Sequence, residues 1–313
     1  MQSLPKFGTS IGEVVFPTYQ VYTPLLQKQA EVIKSTKRQT FTYGSHPRQQ
    51  LDLYTPSNSE KGQDKLLIFL YGGGLVRGDK ISPVVPQELV YANLGHFFAE
   101  RVGCKVIIPD YRLISHEAKF PSGGEDLALV VQWAKENIKQ DSKDPLDLYI
   151  MGNSAGGIHS ATYLFASQFS ESRRGILGSG AAELRLKGVI LLAVPFHFDQ
   201  AVAERAETLS SYYGTEVQQH SPLGLLRSSK EDGSVDGFKE VQFLVITASL
   251  DPKAEILVPN DDFVKEWPLG SNLAKLEIEG HNHISPVLSL GTGVEEEERW
   301  GQQVVDFIMK HSP

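Results

Sequence analysis

Ser154 stands in Gly152-Asn153-Ser154-Ala155-Gly156, a Gly-x-Ser-x-Gly pentapeptide. A serine so placed is a candidate nucleophile where the chain turns sharply from strand to helix. Flanking glycines tolerate the strain and close packing that such a turn imposes. Average glycine and serine usage produces the pattern by chance in roughly one chain in ten of this length, so its surroundings must decide. Here the apolar run Leu146 to Met151 leads in, and a helical pattern beginning at Ala155 leads out. That context predicts Ser154 as the nucleophile. A second signal is Tyr71-Gly72-Gly73-Gly74, directly after the apolar run Lys65 to Leu70. Glycines at a strand's C-terminal end can turn backbone N–H groups towards a developing oxyanion. The expected donors are Gly73, Gly74 and Ala155, the last being the residue after the nucleophile. The segment lacks the Gly-Lys-[Ser/Thr] of a phosphate-binding loop.

A serine nucleophile needs a base, and the base needs an acid to orient it. In strand–turn–helix sites of this kind they follow in the order serine, acid, histidine. Asp251, in Ser249-Leu250-Asp251-Pro252, comes at the end of the next-to-last apolar run. Asp261 and Asp262 compete with it, but they open the following helical pattern and read as N-terminal caps. Among the later histidines, His311 ends a helix, where a cation suits the dipole. His281 and His283 share the loop Gly280-His281-Asn282-His283, and spacing alone leaves both open. The remaining histidines show no metal-ligand spacing, and neither HExxH nor a CxxC pair occurs, so no metal is expected. No Gly-x-Gly-x-x-Gly followed by an acidic residue appears after a strand, so no dinucleotide cofactor is expected either.

These residues need a scaffold that brings strand ends together. Apolar runs suited to buried strands cover Lys65 to Tyr71, Lys105 to Pro109, Leu146 to Met151, Leu186 to Val194, Val241 to Thr247 and Leu273 to Ile278. Helical patterns lie between them, at Pro86 to Val102, Glu125 to Ile138, Ala155 to Phe169 and Glu297 to Lys310. Alternation of this kind predicts an α/β fold, with a mostly parallel central sheet flanked by helices. Gln39 to Tyr43 and Gln50 to Tyr54 alternate polar and apolar residues and read as a half-exposed antiparallel edge hairpin. Two stretches fall outside the alternation. Residues 1–37 hold an amphipathic helix at Tyr22 to Ile33, and residues from 196 to about 238 hold short helical pieces broken by Gly and Ser. Both are expected to form a small helical cap over the sheet's C-terminal edge, the edge where ligands of such sheets bind. The main domain then spans 38–313, with the cap insertion at about 196–238. Phe196, Phe198, Tyr212 and Tyr213 are aromatic candidates for lining the pocket beneath, although packing within the cap accounts for them equally well.

The ordered motifs resemble one family. They run from the Gly-Gly-Gly after one strand, through Asp110-Tyr111-Arg112-Leu113 after the next, then Phe120-Pro121 and Glu125-Asp126, to Gly-Asn-Ser-Ala-Gly-Gly. This succession looks like the hormone-sensitive-lipase-like branch of the α/β-hydrolases, including the kynurenine formamidase-like esterases, and covers about Gln39 to the C-terminus. The resemblance implies the α/β-hydrolase fold and a serine esterase acting on a small carboxylic ester. It also implies Asp251 as the acid, in the family's Asp-Pro placement, and His283 as the base, because an apolar residue and a turn into the last helix follow it. His281 is then a loop-supporting or pocket-lining group. The chain departs from the pattern at Tyr71, where the family has a histidine that supports the loop, and at Asn153. Tyr71 either packs behind the glycines or hydrogen-bonds substrate. Arylformamidase activity on an N-formyl amide uses the same triad and is the nearest alternative. A non-catalytic ligand receptor is more remote, since such receptors have lost a triad member.

Composition sets outer bounds. The chain has 313 residues, 41% hydrophobic and 22% charged, which suits a protein able to bury a full core. Its net charge of −8, without a basic run, argues against nucleic acid. No stretch approaches the ~20 apolar residues of a membrane span. The acidic run Glu295 to Glu298 reads as a solvated helix N-terminus. The lone Cys104 lies in an apolar run and reads as a buried thiol. The opening residues show no apolar leader core and the last three match no ER or peroxisomal address, so a cytoplasmic location is expected. A homodimer is left open.

Overall fold

The computed structural model describes residues 2–57, 62–138, 144–178 and 181–311. One sheet contains β1 (Lys37–Thr42), β2 (Gln50–Thr55), β3 (Lys65–Leu70), β4 (Lys105–Pro109), β5 (Leu146–Asn153), β6 (Leu184–Leu192), β7 (Gln242–Leu250) and β8 (Leu273–Asn282). Its order is β1-β2-β4-β3-β5-β6-β7-β8. The β1–β2 and β2–β4 pairs are antiparallel and the others parallel. Every residue of β3 and β5 is buried. Helices cover both faces of these central strands, so no solvent side exists and polar alternation disappears. This is the mostly parallel α/β sheet expected from the alternation of elements, in the α/β-hydrolase form that the resemblance implied.

The edge hairpin needs correction. Strand β1 is indeed mostly exposed, but Leu51 to Tyr54 of β2 are buried. The reason is that β2 is not an edge: β4 pairs along its other side. Its polar Asp52 is buried by design of its partners, accepting from Thr40 Oγ1 at 2.6 Å and lying 3.5 Å from Lys80 Nζ.

The helices are α1 (Ile11–Lys28), α2 (Ala30–Ser35), α3 (Ala92–Val102), α4 (Ser122–Asn137), α5 (Ala155–Phe165), α6 (Ser170–Arg174), α7 (Ala206–Tyr213), α8 (Val217–His220), α9 (Pro222–Glu231), α10 (Val258–Glu266), α11 (Ser285–Ser289) and α12 (Glu295–Lys310). Several differ from the sequence pattern for local reasons. The stretch from Pro86 opens with a distorted 3-10 turn at Pro86–Glu88 and becomes α-helical only at Ala92, because Gln87 and Glu88 adopt φ of 68° and 59°, outside the right-handed region. Helix α5 ends at Phe165, where Ala166 turns extended. The N-terminal helix starts at Ile11, well before Tyr22, and breaks at Gln29. Helix α10 begins at Val258, so Asp261 and Asp262 are not caps; they pair instead with Lys275 and His197. Of the acidic run, Glu297 and Glu298 fold inward, and Glu298 Oε1 accepts the Gly293 N–H at 2.9 Å. Cys104 is buried, and burial pushes its thiol up to about 12.

What the sheet does for the site follows from its parallel half. The glycine run leaves β3, Ser154 leaves β5, Asp251 leaves β7 and His283 leaves β8, all at the C-terminal edge. Residues separated by more than a hundred positions therefore meet over one edge.

Candidate active site

The turn at Ser154 shows why its neighbours are glycines. A Cβ on Gly152 would lie 2.6 Å from the Gly157 Cα, and one on Gly156 only 2.1 Å from the Leu70 carbonyl oxygen. Helix α5 thus starts hard against β3 and β5. Ser154 itself takes φ 50° and ψ −118°, and its N–H donates to the Leu192 carbonyl at 2.9 Å. That bond ties the strained residue to β6 and points its hydroxyl out of the sheet edge.

His283 Nε2 lies 3.0 Å from Ser154 Oγ, and His283 Nδ1 lies 2.7 Å from Asp251 Oδ1. A carboxylate can only accept, so Nδ1 is the protonated nitrogen and Nε2 is left to accept the serine hydroxyl. The second oxygen of Asp251 accepts the Ala248 N–H at 2.7 Å, which fixes the carboxylate plane. His281 faces elsewhere. Its Nδ1 meets Ser285 Oγ at 2.9 Å and its Nε2 lies 3.7 Å from Glu297 Oε2. Burial holds its pKa down at about 4, so the ring is neutral, and it supports the loop without lining the cavity.

A cavity of about 40 Å³ opens over Ser154. Gly74 and Ala155 border it, whereas Gly73 sits one residue back, with its carbonyl accepting from Val76 and Arg77. Phe198 lines it as expected. Three other aromatic candidates do not. Phe196 is buried and stacked on Phe263 at 3.9 Å between centroids. Tyr212 and Tyr213 are buried against each other at 4.8 Å, and the Tyr212 hydroxyl sits 3.4 Å from the Gly123 N–H. The strand before Phe196 and the helix carrying both tyrosines turn these rings into the core, so they pack there and do not line the cavity over Ser154.

Tyr71 is likewise outside the cavity. Its ring stacks between Tyr91 at 5.4 Å and Tyr111 at 4.7 Å. Its hydroxyl donates to Asp110 Oδ1 at 2.7 Å and accepts from Arg48 Nη2 at 3.0 Å. Arg48 also reaches the Gly78 carbonyl at 2.7 Å and Asp79 at 2.8 Å, so the group braces the loop 72–78 from behind. Burial raises the Asp110 carboxyl, and donors from Tyr71 and the Lys80 N–H partly offset this. A substrate-binding role for Tyr71 is therefore replaced by loop support.

Some cavity residues carry no signal in the sequence. Ile11 comes from α1, and His197, Arg205 and Glu255 supply polar groups. Arg205 Nε donates to Glu255 Oε1 across the cavity wall, joining the 196–238 segment to the turn after Asp251. His197 is buried with Nε2 3.1 Å from Asp262 Oδ2. A charged pair fifty residues apart on irregular segments has no periodicity to betray it.

A protein-family model named BD-FAE matches residues 51–211 of this chain. The chain belongs to the BD-FAE family. Probable isoprenylcysteine alpha-carbonyl methylesterase of Arabidopsis thaliana is 31% identical over 202 residues, covering 60% of this chain and 43% of that protein. Esterase LipC of Mycobacterium tuberculosis is 30% identical over 124 residues, 40% of this chain and 28% of the other. The chain thus spans less than half the length of these curated relatives. Among solved structures, carboxyl esterase 2 of Tuber melanosporum aligns with a TM-score of 0.61 at 17% identity, covering 92% of this chain and 98% of that one. An esterase from Pyrobaculum calidifontis gives 0.57 at 18%, with 94% of each chain covered. Likeness at this identity shows the fold. The esterase branch of the α/β-hydrolases to which the motif succession pointed is where these relatives fall.

The BD-FAE match holds the glycine run and Ser154, while Asp251, His283 and all of α1 lie beyond its ends. Among the described residues no helix is long and apolar enough to cross a membrane, and no group of His, Cys, Asp and Glu is placed to hold a metal ion.

Proposed function

We propose that this chain hydrolyses small carboxylic esters through an acyl-enzyme formed on Ser154, with His283 as general base and Asp251 as its orienting acid. The observation that carries the reading is the unbroken chain from Ser154 Oγ through His283 (3.0 Å) to Asp251 (2.7 Å) at the mouth of a cavity. In this mechanism His283 Nε2 takes the serine proton as Oγ attacks the ester carbonyl. Asp251 holds the tautomer and stabilises the imidazolium. The N–H groups of Gly73, Gly74 and Ala155 are the donors assigned to the tetrahedral oxyanion, each contributing about 10²–10³ in rate. His283 then returns the proton to the leaving alcohol, and water repeats the cycle on the acyl group.

Residues 1–37 and 196–238 act as the cap in this reading, since Ile11 and Phe198, Ala201, Arg205 and Leu209 border the cavity. A cap built of short helices, with no long apolar lid, favours acyl groups of about two to six carbons. The test is hydrolysis of a p-nitrophenyl ester series and of N-formylkynurenine by wild type and Ser154→Ala. Loss of turnover in a folded Ser154→Ala protein is expected, with the best substrate among the short esters. Undiminished turnover would remove the nucleophile; a preference for the formyl amide would transfer the chain to arylformamidase chemistry.

A further inference from the structure

Helix α1 carries a buried stripe of Val14, Thr18, Tyr22 and Leu26, spaced four residues apart on one face. A face made only for packing would be apolar, because a buried hydroxyl is costly unless it is hydrogen-bonded. Both polar members of this stripe have partners that lead to the turn around His283, Thr18 directly through Asn282 and Tyr22 through Glu297 to His281. The Thr18 hydroxyl donates to the Val14 carbonyl at 2.5 Å, which leaves a lone pair to accept Asn282 Nδ2–H at 2.8 Å. That contact fixes the Asn282 amide, whose Oδ1 accepts the N–H groups of Ile284 and Ser285, each at 3.0 Å. The chain is thereby folded tightly around residue 283. Tyr22 donates to Glu297 Oε2 at 2.5 Å, and the same oxygen lies 3.7 Å from His281 Nε2. His281 Nδ1 meets Ser285 Oγ, which also accepts the Asn282 N–H at 3.0 Å. Residues 281, 282, 284 and 285 are therefore held from α1 and α12, and the imidazole of His283 is left to face Asp251 and Ser154.

We propose that α1 is a positioning element for the general base: Thr18 and Tyr22 hold the 281–285 turn, and through it the approach of His283 Nε2 to Ser154. The inference rests on the proposed role of His283 and extends it to a helix outside the matched family region. Positioning errors of about 1 Å cost on the order of a hundredfold in rate, so loss of either tether reads out in turnover and leaves binding alone.

The test compares full-length wild type, Thr18→Val, Thr18→Ser and Tyr22→Phe in steady-state hydrolysis of p-nitrophenyl butyrate across pH, with thermal unfolding of each. Thr18→Val and Tyr22→Phe are expected to lower kcat about 10- to 100-fold. KM should stay within about twofold, and the acidic limb of the kcat profile, which reports the base, should move. Thr18→Ser keeps the hydroxyl and should restore kcat to within about threefold of wild type. Unchanged kcat and pH profile in Tyr22→Phe and a folded Thr18→Val, with only a lower unfolding temperature, would show packing alone and overturn the proposal. Where Thr18→Val does not fold, Tyr22→Phe, which removes a single oxygen, decides. A Ser154→Ala or His283→Ala protein as active as wild type would instead sink the reading of the site, and is measured first.

Discussion

His281 and His283 are both buried, two residues apart at the end of β8, and their surroundings give them different work. His283 has a carboxylate on one nitrogen and the serine hydroxyl on the other. His281 has a serine that braces the loop and a distant carboxylate. In triads that act as a unit, loss of the base costs about as much as loss of the nucleophile, near 10⁶ in the best-studied case. His283→Ala should therefore match Ser154→Ala in kcat, while His281→Asn keeps measurable turnover. The reverse ranking in steady-state kinetics would move the base to His281. Tyr71 invites a second test at this scale. Tyr71→Phe preserves both ring stacks and removes the hydroxyl that Asp110 and Arg48 share. The expected result is a stability loss of about 1–3 kcal/mol in urea unfolding, since buried partners lose a hydrogen bond. The accompanying fall in kcat/KM should be less than about fivefold, under about 1 kcal/mol. A hundredfold fall without loss of stability would return the hydroxyl to the pocket.

At the scale of elements, strand β6 ends in a segment that sends alternate aromatics to opposite fates. Phe196 stacks on Phe263 in the core, and Phe198 borders the cavity. Truncating a buried phenylalanine costs about 3–5 kcal/mol, so Phe196→Ala should be strongly destabilised. Phe198→Ala should unfold near wild type and change the ranking of ester substrates in kcat/KM. Equal destabilisation of the two would contradict the packing described. The same segment marks the boundary of what the sequence displays. Strands β3 and β5 are legible because burial on both faces leaves continuous apolar runs between helices, whereas β8, at the sheet's edge, is half-exposed and shows apolar residues only in alternation. Ser154 is legible because its turn demands glycines at 152 and 156. Asp251 and the two histidines are placed by strand order, with the choice between His281 and His283 resting on family likeness. The cap is a different matter. Its side chains face a cavity or a core according to tertiary packing, and nothing in the local spacing of Phe196, Phe198, Tyr212 and Tyr213 separates the two. Ile11, Arg205 and Glu255 reach the cavity from irregular or remote segments for the same reason.

At the scale of the whole molecule, two imidazoles are stored neutral in the interior and make stability depend on pH. His159 is wholly buried on α5, with Tyr111 edge-on at 4.4 Å, and burial drives its pKa down to about 3. His281 is held at about 4, also chiefly by burial. In the unfolded chain both titrate near the ordinary histidine value of about 6.5. Between these limits the unfolded state binds protons that the native state refuses, so stability is full above about pH 7 and falls as pH drops through about 6.5. From pH 7 to pH 5 each histidine costs about 2 kcal/mol, a large share of a net stability of about 5–15 kcal/mol. The carboxyls of Asp110 and Asp126, raised by burial, act in the opposite direction, because there the native state takes up the proton first. A difference experiment removes that opposing contribution. Wild type and His159→Asn are unfolded in urea at pH 7 and at pH 5, and the change in unfolding free energy between the two pH values is compared. His159→Asn starts lower, because it loses buried contacts, but its decline on acidification should be shallower than that of wild type by about 2 kcal/mol. Identical declines would mean that His159 is protonated in the fold at pH 5. The packing of that ring against Tyr111 and the tight approach of Gly123, whose Cβ would sit 1.8 Å from its Nδ1, leave no room to solvate such a charge.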